Sequence, residues 1–160
     1  MGSLEHYLRG RRIARRRPLD WFAAADGETG ASCVLVAPID ADDADAAGRD
    51  ALRRVHDALS VIESSRVPRV IARGLSDPRP AIVLDCDAVM TLADVIAVAP
   101  RASVSYPEGS ALTRTLFEAL AAAHAVSKER GGPVTIGGIS GENFLVCHTD
   151  ANPLSLPYCF

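Results

Sequence analysis

Residues 131–146, GGPVTIGGISGENFLV, have the form of a catalytic loop set between a helix and a strand. An apolar run is followed by a glycine-containing turn, then by Glu142-Asn143 and a second apolar run. Loops of this form commonly carry the acid, base or nucleophile of an active site. Residues 136–141 read Ile-Gly-Gly-Ile-Ser-Gly, however, and include no acid, base or strong nucleophile. The pattern predicts the frame of an active site without its chemistry.

Cysteine and histidine are the other residue types here that could bind a metal or carry redox chemistry. They are Cys33, Cys86, Cys147, Cys159, His6, His56, His124 and His148. No two cysteines form a Cys-x-x-Cys pair, and the histidines lack the close spacing of metal ligands. Buried free thiols are therefore the favoured interpretation, and we expect neither a metal nor a cofactor.

Six arginines lie within residues 9–17, RGRRIARRR, whereas residues 40–50 are strongly acidic. Such a basic segment can bind nucleic acid, anionic lipid or an acidic protein. It can also protect an exposed edge strand from pairing with other chains. No aromatic residue is interleaved with the arginines to stack on bases, so nucleic acid is the disfavoured partner.

The composition predicts one globular domain, residues 1–160, because 48% of the residues are hydrophobic and the chain is long enough to bury a core. Asp85, Asp87 and Asp94 interrupt the most apolar region, so we expect no transmembrane segment. No apolar core of a signal peptide follows the N-terminal arginines. A cytoplasmic location follows as the default expectation.

Alternating and apolar runs predict five strands, with one helix after the third. The strands are expected at 12–19, 21–26, 32–39, 67–73 and 81–86, with a turn at 26–30. The apolar stripe of the helix consists of Leu52, Val55, Leu59 and Ile62, and Asp40, Asp42 or Asp43 is expected to cap it. The simplest assembly is an antiparallel sheet crossed by that helix.

The second half of the chain predicts two helices and two short strands. A short helix should begin after Thr91, a polar loop should occupy 100–110, and a longer helix should run over 110–127. Final strands are expected near 133–136 and 143–147, with a turn at 150–153. The stripe of the longer helix is Leu112, Leu116, Leu120 and His124. Too few residues follow this helix to surround it, so the three leucines are a candidate interface for a homodimer or a complex.

This order of elements resembles a protein kinase, cut short. AIVLDCDAVMTLADVI resembles the last small-lobe strand, the hinge and the first large-lobe helix, and ENFLV resembles the family's Glu-Asn-Ile-Leu-Leu. The resemblance implies an α+β fold with a kinase-like small lobe, which is a five-stranded antiparallel sheet plus one helix, at 19–89. A basic arm and first strand at 1–18 would precede it, and the start of a helical large lobe at 90–160 would follow.

The positions that carry kinase chemistry are replaced in this sequence. The lysine of the third strand corresponds to Ala37, its glutamate partner on the helix to Val55, and the catalytic base to Gly138. Asn143 remains where the family has a metal ligand, but one carboxamide cannot hold Mg²⁺ alone. In place of a glycine-rich phosphate loop stands PLDWF, residues 18–22, whose Trp21 and Phe22 would fill the phosphate space. The resemblance therefore implies an inactive domain rather than an enzyme.

Among degenerate kinases, LDWFAAADGETGASCVLVAPID, SRVPRVIARG and LSLPYCF resemble the pseudokinase domain of actinobacterial MviN. That resemblance implies a regulatory docking module in peptidoglycan control, recognised by a forkhead-associated domain or by a kinase after phosphorylation. The alternatives are a nucleotide sensor without phosphotransfer and a nucleic-acid-binding module that uses the arginine segment.

Overall fold

The structure is a computed structural model that describes residues 4–39, 46–98, 106–130, 141, 144–147 and 158–159. The chain divides into two units. The first consists of Met1–Ser60 and Pro68–Ala88, and the second of Val61–Val67 and Val89–Phe160.

The described residues of the first unit form a five-stranded antiparallel sheet and one helix. The strands are β1 (Tyr7–Arg16), β2 (Leu19–Asp26), β3 (Ser32–Pro38), β4 (Val70–Gly74) and β5 (Ala81–Leu84), and helix α1 (Ala46–Leu59) follows β3. Their order in the sheet is β1-β2-β3-β5-β4, and every neighbouring pair is antiparallel. The predicted α+β class is confirmed, as is the sheet with a helix after its third strand.

The core of this unit lies along the central strands β3 and β5. Val36 is in register with Trp21 on β2 and with Ile82 on β5, and all three side chains are buried. Successive residues of a strand point to opposite sides of the sheet. Leu35 and Val83, the neighbours of Val36 and Ile82, therefore face the other side, and they are buried as well. Burial on both sides explains why these strands are continuous apolar runs in the sequence.

Strand β1 begins at Tyr7, five residues before the predicted start, and ends at Arg16. It lies at the edge of the sheet, where side chains need not be apolar, and its arginines conceal the strand pattern. The turn to β2 is Arg17-Pro18. Residues 18–22, expected to replace the glycine-rich loop between the first two strands, therefore form no such loop, because β2 already begins at Leu19.

The turn after β2 is the one expected at residues 26–30. Asp26 Oδ1 accepts hydrogen bonds from the backbone N–H groups of Glu28 at 2.8 Å and Thr29 at 3.0 Å. These bonds favour the ionised carboxylate and lower the pKa of Asp26. Gly30 closes the turn with φ +72°, a left-handed conformation that favours glycine.

Helix α1 ends earlier than its apolar stripe predicts. Leu52 and Leu59 are buried and Val55 is half-buried, but Ile62 lies beyond the end of the helix. The backbone N–H of Ser60 donates to the carbonyl of His56, which completes the last turn. The aspartates predicted to cap the helix, Asp40, Asp42 and Asp43, lie outside the described residues.

The described part of the second unit contains two helices and a three-stranded sheet. Its elements are β6 (Ala88–Thr91), α2 (Leu92–Val98), α3 (Tyr106–Arg130), β7 (Phe144–Cys147) and β8 (Tyr158–Cys159), and the sheet order is β6-β7-β8. Thr91 caps α2 as predicted, because its hydroxyl accepts from the N–H of Asp94 at 3.2 Å. The Asp94 carboxylate accepts from the Thr91 N–H at 3.0 Å in return, which forms a reciprocal cap. The strand predicted near 133–136 and the turn at 150–153 lie outside the described residues.

Helix α3 begins at Tyr106, inside the loop predicted at 100–110, and that part of the prediction is wrong. Tyr-Pro-Glu-Gly resembles a turn, but proline is also well suited to the first turn of a helix. Residues Thr115, Ala119 and Ala123 form its buried face. In the described part of the chain, no helix is both long and apolar enough to cross a membrane.

Candidate functional site

Ala37 stands on β3 at the position that corresponds to the kinase lysine. Its side chain is 3% exposed and packs in a cluster with Phe22, Leu35 and Ala81. Its register partner on β2 is Asp20, so the two residues share one side of the sheet. This side is here named the Ala37 side. At this position the chain offers a methyl group among apolar neighbours, and a methyl group cannot bind phosphate.

Trp21 and Phe22 are both buried, but they lie on opposite sides of the sheet. Phe22 packs beside Ala37, whereas Trp21 is 2% exposed and lies with its ring 5.4 Å from the Arg16 guanidinium. Adjacent residues of a strand alternate between the two sides. The two rings therefore lie on different sides of the sheet, and the filling of a phosphate space by the pair stays a prediction.

Asp20 is a buried carboxylate on the Ala37 side, and no motif in the sequence indicates its role. Its side chain is 4% exposed. The Nε and Nη2 atoms of Arg15 donate to its two oxygens at 2.9 and 3.0 Å, and Nη1 of Arg12 lies 3.8 Å away. The two-pronged contact with Arg15 offsets the cost of burying the charge. The register partner of Ala37 is thus a carboxylate, which supplies no positive charge at the lysine position.

Three arginines of β1 form a row on the Ala37 side, here named the arginine row. Arg9, Arg12 and Arg15 stand opposite Ala24, Phe22 and Asp20, which are alternate residues of β2. Neighbouring arginines of the row are three residues apart on β1, whereas their partners on β2 are two residues apart. The difference arises because the register shifts by one residue between each pair of arginines. The guanidinium of Arg9 lies over the Phe22 ring, 4.2 Å from its centre.

Gly10 allows the first of these register shifts. A Cβ atom at this position would lie 2.8 Å from the carbonyl oxygen of Ala23, which is closer than such atoms approach. Only glycine lets the two backbones approach so closely at this point. The placement of Arg9 and Arg12 on one side thus depends on a residue that sequence inspection alone would have read as a turn former.

Val55 stands half-buried on α1, and the residue after it builds a polar cluster. His56 is buried, with Nδ1 2.9 Å from Oδ1 of Asp57. Its Nε2 lies 2.8 Å from Nη1 of Arg73 and 3.3 Å from Oγ of Ser60. The spacing of His56 and Ser60 by one helical turn was the available signal for this cluster.

The Ser60, His56 and Asp57 side chains are those of a hydrolytic triad, but Arg73 prevents that chemistry. A neutral imidazole has one lone pair to accept a proton, and Nε2 offers it to the nearer guanidinium. The hydroxyl of Ser60, at the longer distance, therefore has no free base to activate it. The cluster ties α1 to β4.

Cys33 and Cys86 are buried free thiols, as predicted. Burial and the negative charge of Asp26 raise the pKa of the Cys33 thiol to about 11, which keeps it protonated and unreactive at neutral pH. Among the described residues no group of three metal-ligating side chains comes together.

The remaining predicted site residues fall into two groups. Gly138 and Asn143 lie outside the described residues, and so does the side chain of Leu112. Leu116 and Leu120 are half-buried on α3, while Phe117 of the same helix is a large apolar side chain that is 63% exposed. No protein-family model matches the chain, and no curated protein is significantly similar to it.

Proposed function

We propose that the chain is a catalytically inactive, kinase-like domain that acts as a protein-interaction scaffold. The fold of the first unit supports the proposal, because the resemblance implies five antiparallel strands with one helix after the third. Fold alone does not imply function, so the argument depends on the side chains at the positions of kinase chemistry.

The observation that carries the proposal is the environment of Ala37. Phosphoryl transfer depends on cations that neutralise the phosphates. On the Ala37 side the position of the lysine is apolar, and its register partner on β2 is Asp20, which carries no positive charge. Val55 likewise supplies no carboxylate to orient a lysine. A site with these properties disfavours ATP and leaves the surface of the fold as the functional part.

Thermal unfolding with and without ATP and Mg²⁺ tests this proposal. We expect an unchanged melting temperature, because Ala37 and its apolar neighbours supply no cation for the phosphates. A ligand present at a hundredfold excess over its Kd would stabilise the fold by about 2.7 kcal/mol, which is several degrees for a domain of this size. Such a shift would contradict the scaffold and support the alternative, a nucleotide sensor without phosphotransfer. ADP and Mg²⁺ alone serve as control ligands.

The resemblance to MviN extends the proposal to phosphorylation-controlled docking, with a forkhead-associated domain or a kinase as partner. Thr91 and Thr115 are buried and could not be modified in the folded state, whereas Thr113 is exposed on α3. Its hydroxyl donates to the carbonyl of Gly109 at 2.9 Å. Mass spectrometry after treatment with a threonine kinase should find phosphate on Thr113 rather than on the two buried threonines.

A further inference from the structure

The strongest unassigned surface of the molecule is the arginine row. We infer that it binds an extended acidic segment of a partner protein in which carboxylates occupy alternate positions. This inference rests on the proposed function in one respect, which is that the domain binds a protein. It adds the surface that binds and the chemistry of the partner.

The spacing of the row matches that of an extended peptide. Arg9 and Arg12 stand opposite residues of β2 that are two apart, which corresponds to about 6.8 Å along a strand. Side chains at alternate positions of an extended peptide lie on one side with the same separation. A segment of the pattern acid-x-acid would therefore place one carboxylate at each guanidinium.

Charge also favours an acidic ligand. The row contains three arginines, and two of them, Arg12 and Arg15, contact the same carboxylate, that of Asp20. Arg15 binds Asp20 through two hydrogen bonds, whereas Arg12 lies at the longer distance of 3.8 Å and is 48% exposed. The contact between Arg15 and Asp20 shows how a carboxylate is held on this surface.

Arg9 is already positioned for such a contact. Its guanidinium lies over the ring of Phe22, and a guanidinium on an aromatic ring can still donate from its edge to a carboxylate. A side chain held in place loses less conformational entropy when a ligand binds. Arg9 and Arg12 are therefore the residues that we assign to the partner, while Arg15 remains with Asp20.

The structure favours side-chain recognition of a peptide over the other anionic partners. β1 has no second neighbouring strand among the described residues, but two register shifts make its edge irregular and disfavour strand addition. Trp21 and Phe22 are buried and offer no surface on which bases could stack. Leu8 is the exposed large apolar side chain of β1, and a single such residue anchors a membrane weakly.

The test is a binding titration of the full chain with two fluorescein-labelled peptides of equal composition. One is Glu-Ala-Glu-Ala-Glu-Ala-Glu, and the other has its four glutamates in one block. Fluorescence anisotropy is recorded at low salt and again near 0.15 M, where exposed charges are screened beyond about 8 Å. We expect the alternating peptide to bind more tightly than the block peptide, with weaker binding at the higher salt.

Matched variants identify the surface. Arg9→Gln with Arg12→Gln should weaken binding of the alternating peptide about tenfold, because two specific charge contacts are lost. Arg53→Gln with Arg54→Gln removes the same charge from exposed positions on α1 and should change the affinity by less than about twofold. Arg9→Lys with Arg12→Lys keeps the charge and should give an intermediate loss. Melting temperatures of all variants check that the fold is intact.

Several results would overturn the inference: no saturable binding, equal affinity for the two peptides, or equal loss in the two glutamine variants. Tighter binding to double-stranded DNA or to phosphatidylserine vesicles would assign the row to those partners instead. The nucleotide experiment is independent of this one. A nucleotide-induced rise in melting temperature would defeat the proposed function and leave peptide binding standing, whereas failed peptide binding with no nucleotide effect would defeat only this inference.

Discussion

The centre and the edge of the five-stranded sheet differ in how far their side chains are buried. In β3 and β5 the side chains on both sides of the sheet are buried, and Val34, Val36 and Ile82 have no exposed surface. In β1 five consecutive residues, 8–12, are exposed and three of them are arginines. The free energy of unfolding should therefore depend mainly on the central strands, whereas substitutions in β1 should affect binding more than stability.

The same substitution at the two places should show the largest difference. Leu84→Ala in β5 removes a fully buried side chain and should lower the free energy of unfolding by about 3 kcal/mol. Leu8→Ala in β1 removes a side chain that is 63% exposed and should cost less than about 0.5 kcal/mol. Urea unfolding followed by circular dichroism measures both. Equal losses would mean that β1 belongs to the core.

A smaller difference in stability is expected between substitutions of two aspartates that each bind an arginine. Asp20→Asn removes the buried partner of Arg15 and should destabilise the fold by about 1–2 kcal/mol, because Arg15 is itself partly exposed and can turn to water. Asp85→Asn removes the partner of Arg69, and since both side chains are exposed it should cost less than about 0.5 kcal/mol. If Asp20→Asn proved as mild as the control, the carboxylate would not hold β1 and β2 together.

The smallest expected effect concerns the dependence of stability on pH. The pKa of Cys33 is raised from 9.0 to about 11 in the folded chain, so above pH 9 the unfolded thiol ionises while the folded one stays protonated. The folded state then binds more protons, and the stability that Cys33 contributes falls as pH rises, by about 1 kcal/mol near pH 10. Cys33→Ala should lose this part of the alkaline decline. Guanidinium unfolding of both proteins at pH 8 and pH 10 measures the difference.

The sequence predicts the elements whose pattern reflects burial and fails where burial does not set the pattern. β2 and β3 are apparent because their apolar runs reflect a buried place in the sheet. The start of β1 was missed because an edge strand tolerates charge, and the start of α3 because Tyr106-Pro107 suits both a turn and a first helical turn.

The candidate site shows the same division. Burial of Ala37 and of Trp21 could be predicted from the kinds of residue around them in sequence. The pairing of Asp20 with Arg15, and the alignment of Arg9 with Arg12, depend on strand register. The register of β1 depends on two extra residues, one at each register shift. Each extra residue reverses the side to which the following side chains point, so the strand shows no regular alternation in the sequence.

The place of β5 between β3 and β4 affects how the chain folds during synthesis. β3 ends at Pro38, but the strand that covers its free edge begins only at Ala81. At about 5–20 residues per second, the ribosome needs roughly two to eight seconds to make the intervening chain. During that interval β3 presents an apolar edge to chaperones or to neighbouring nascent chains. A slower supply of β5 should therefore lower the yield of folded protein without changing its final stability.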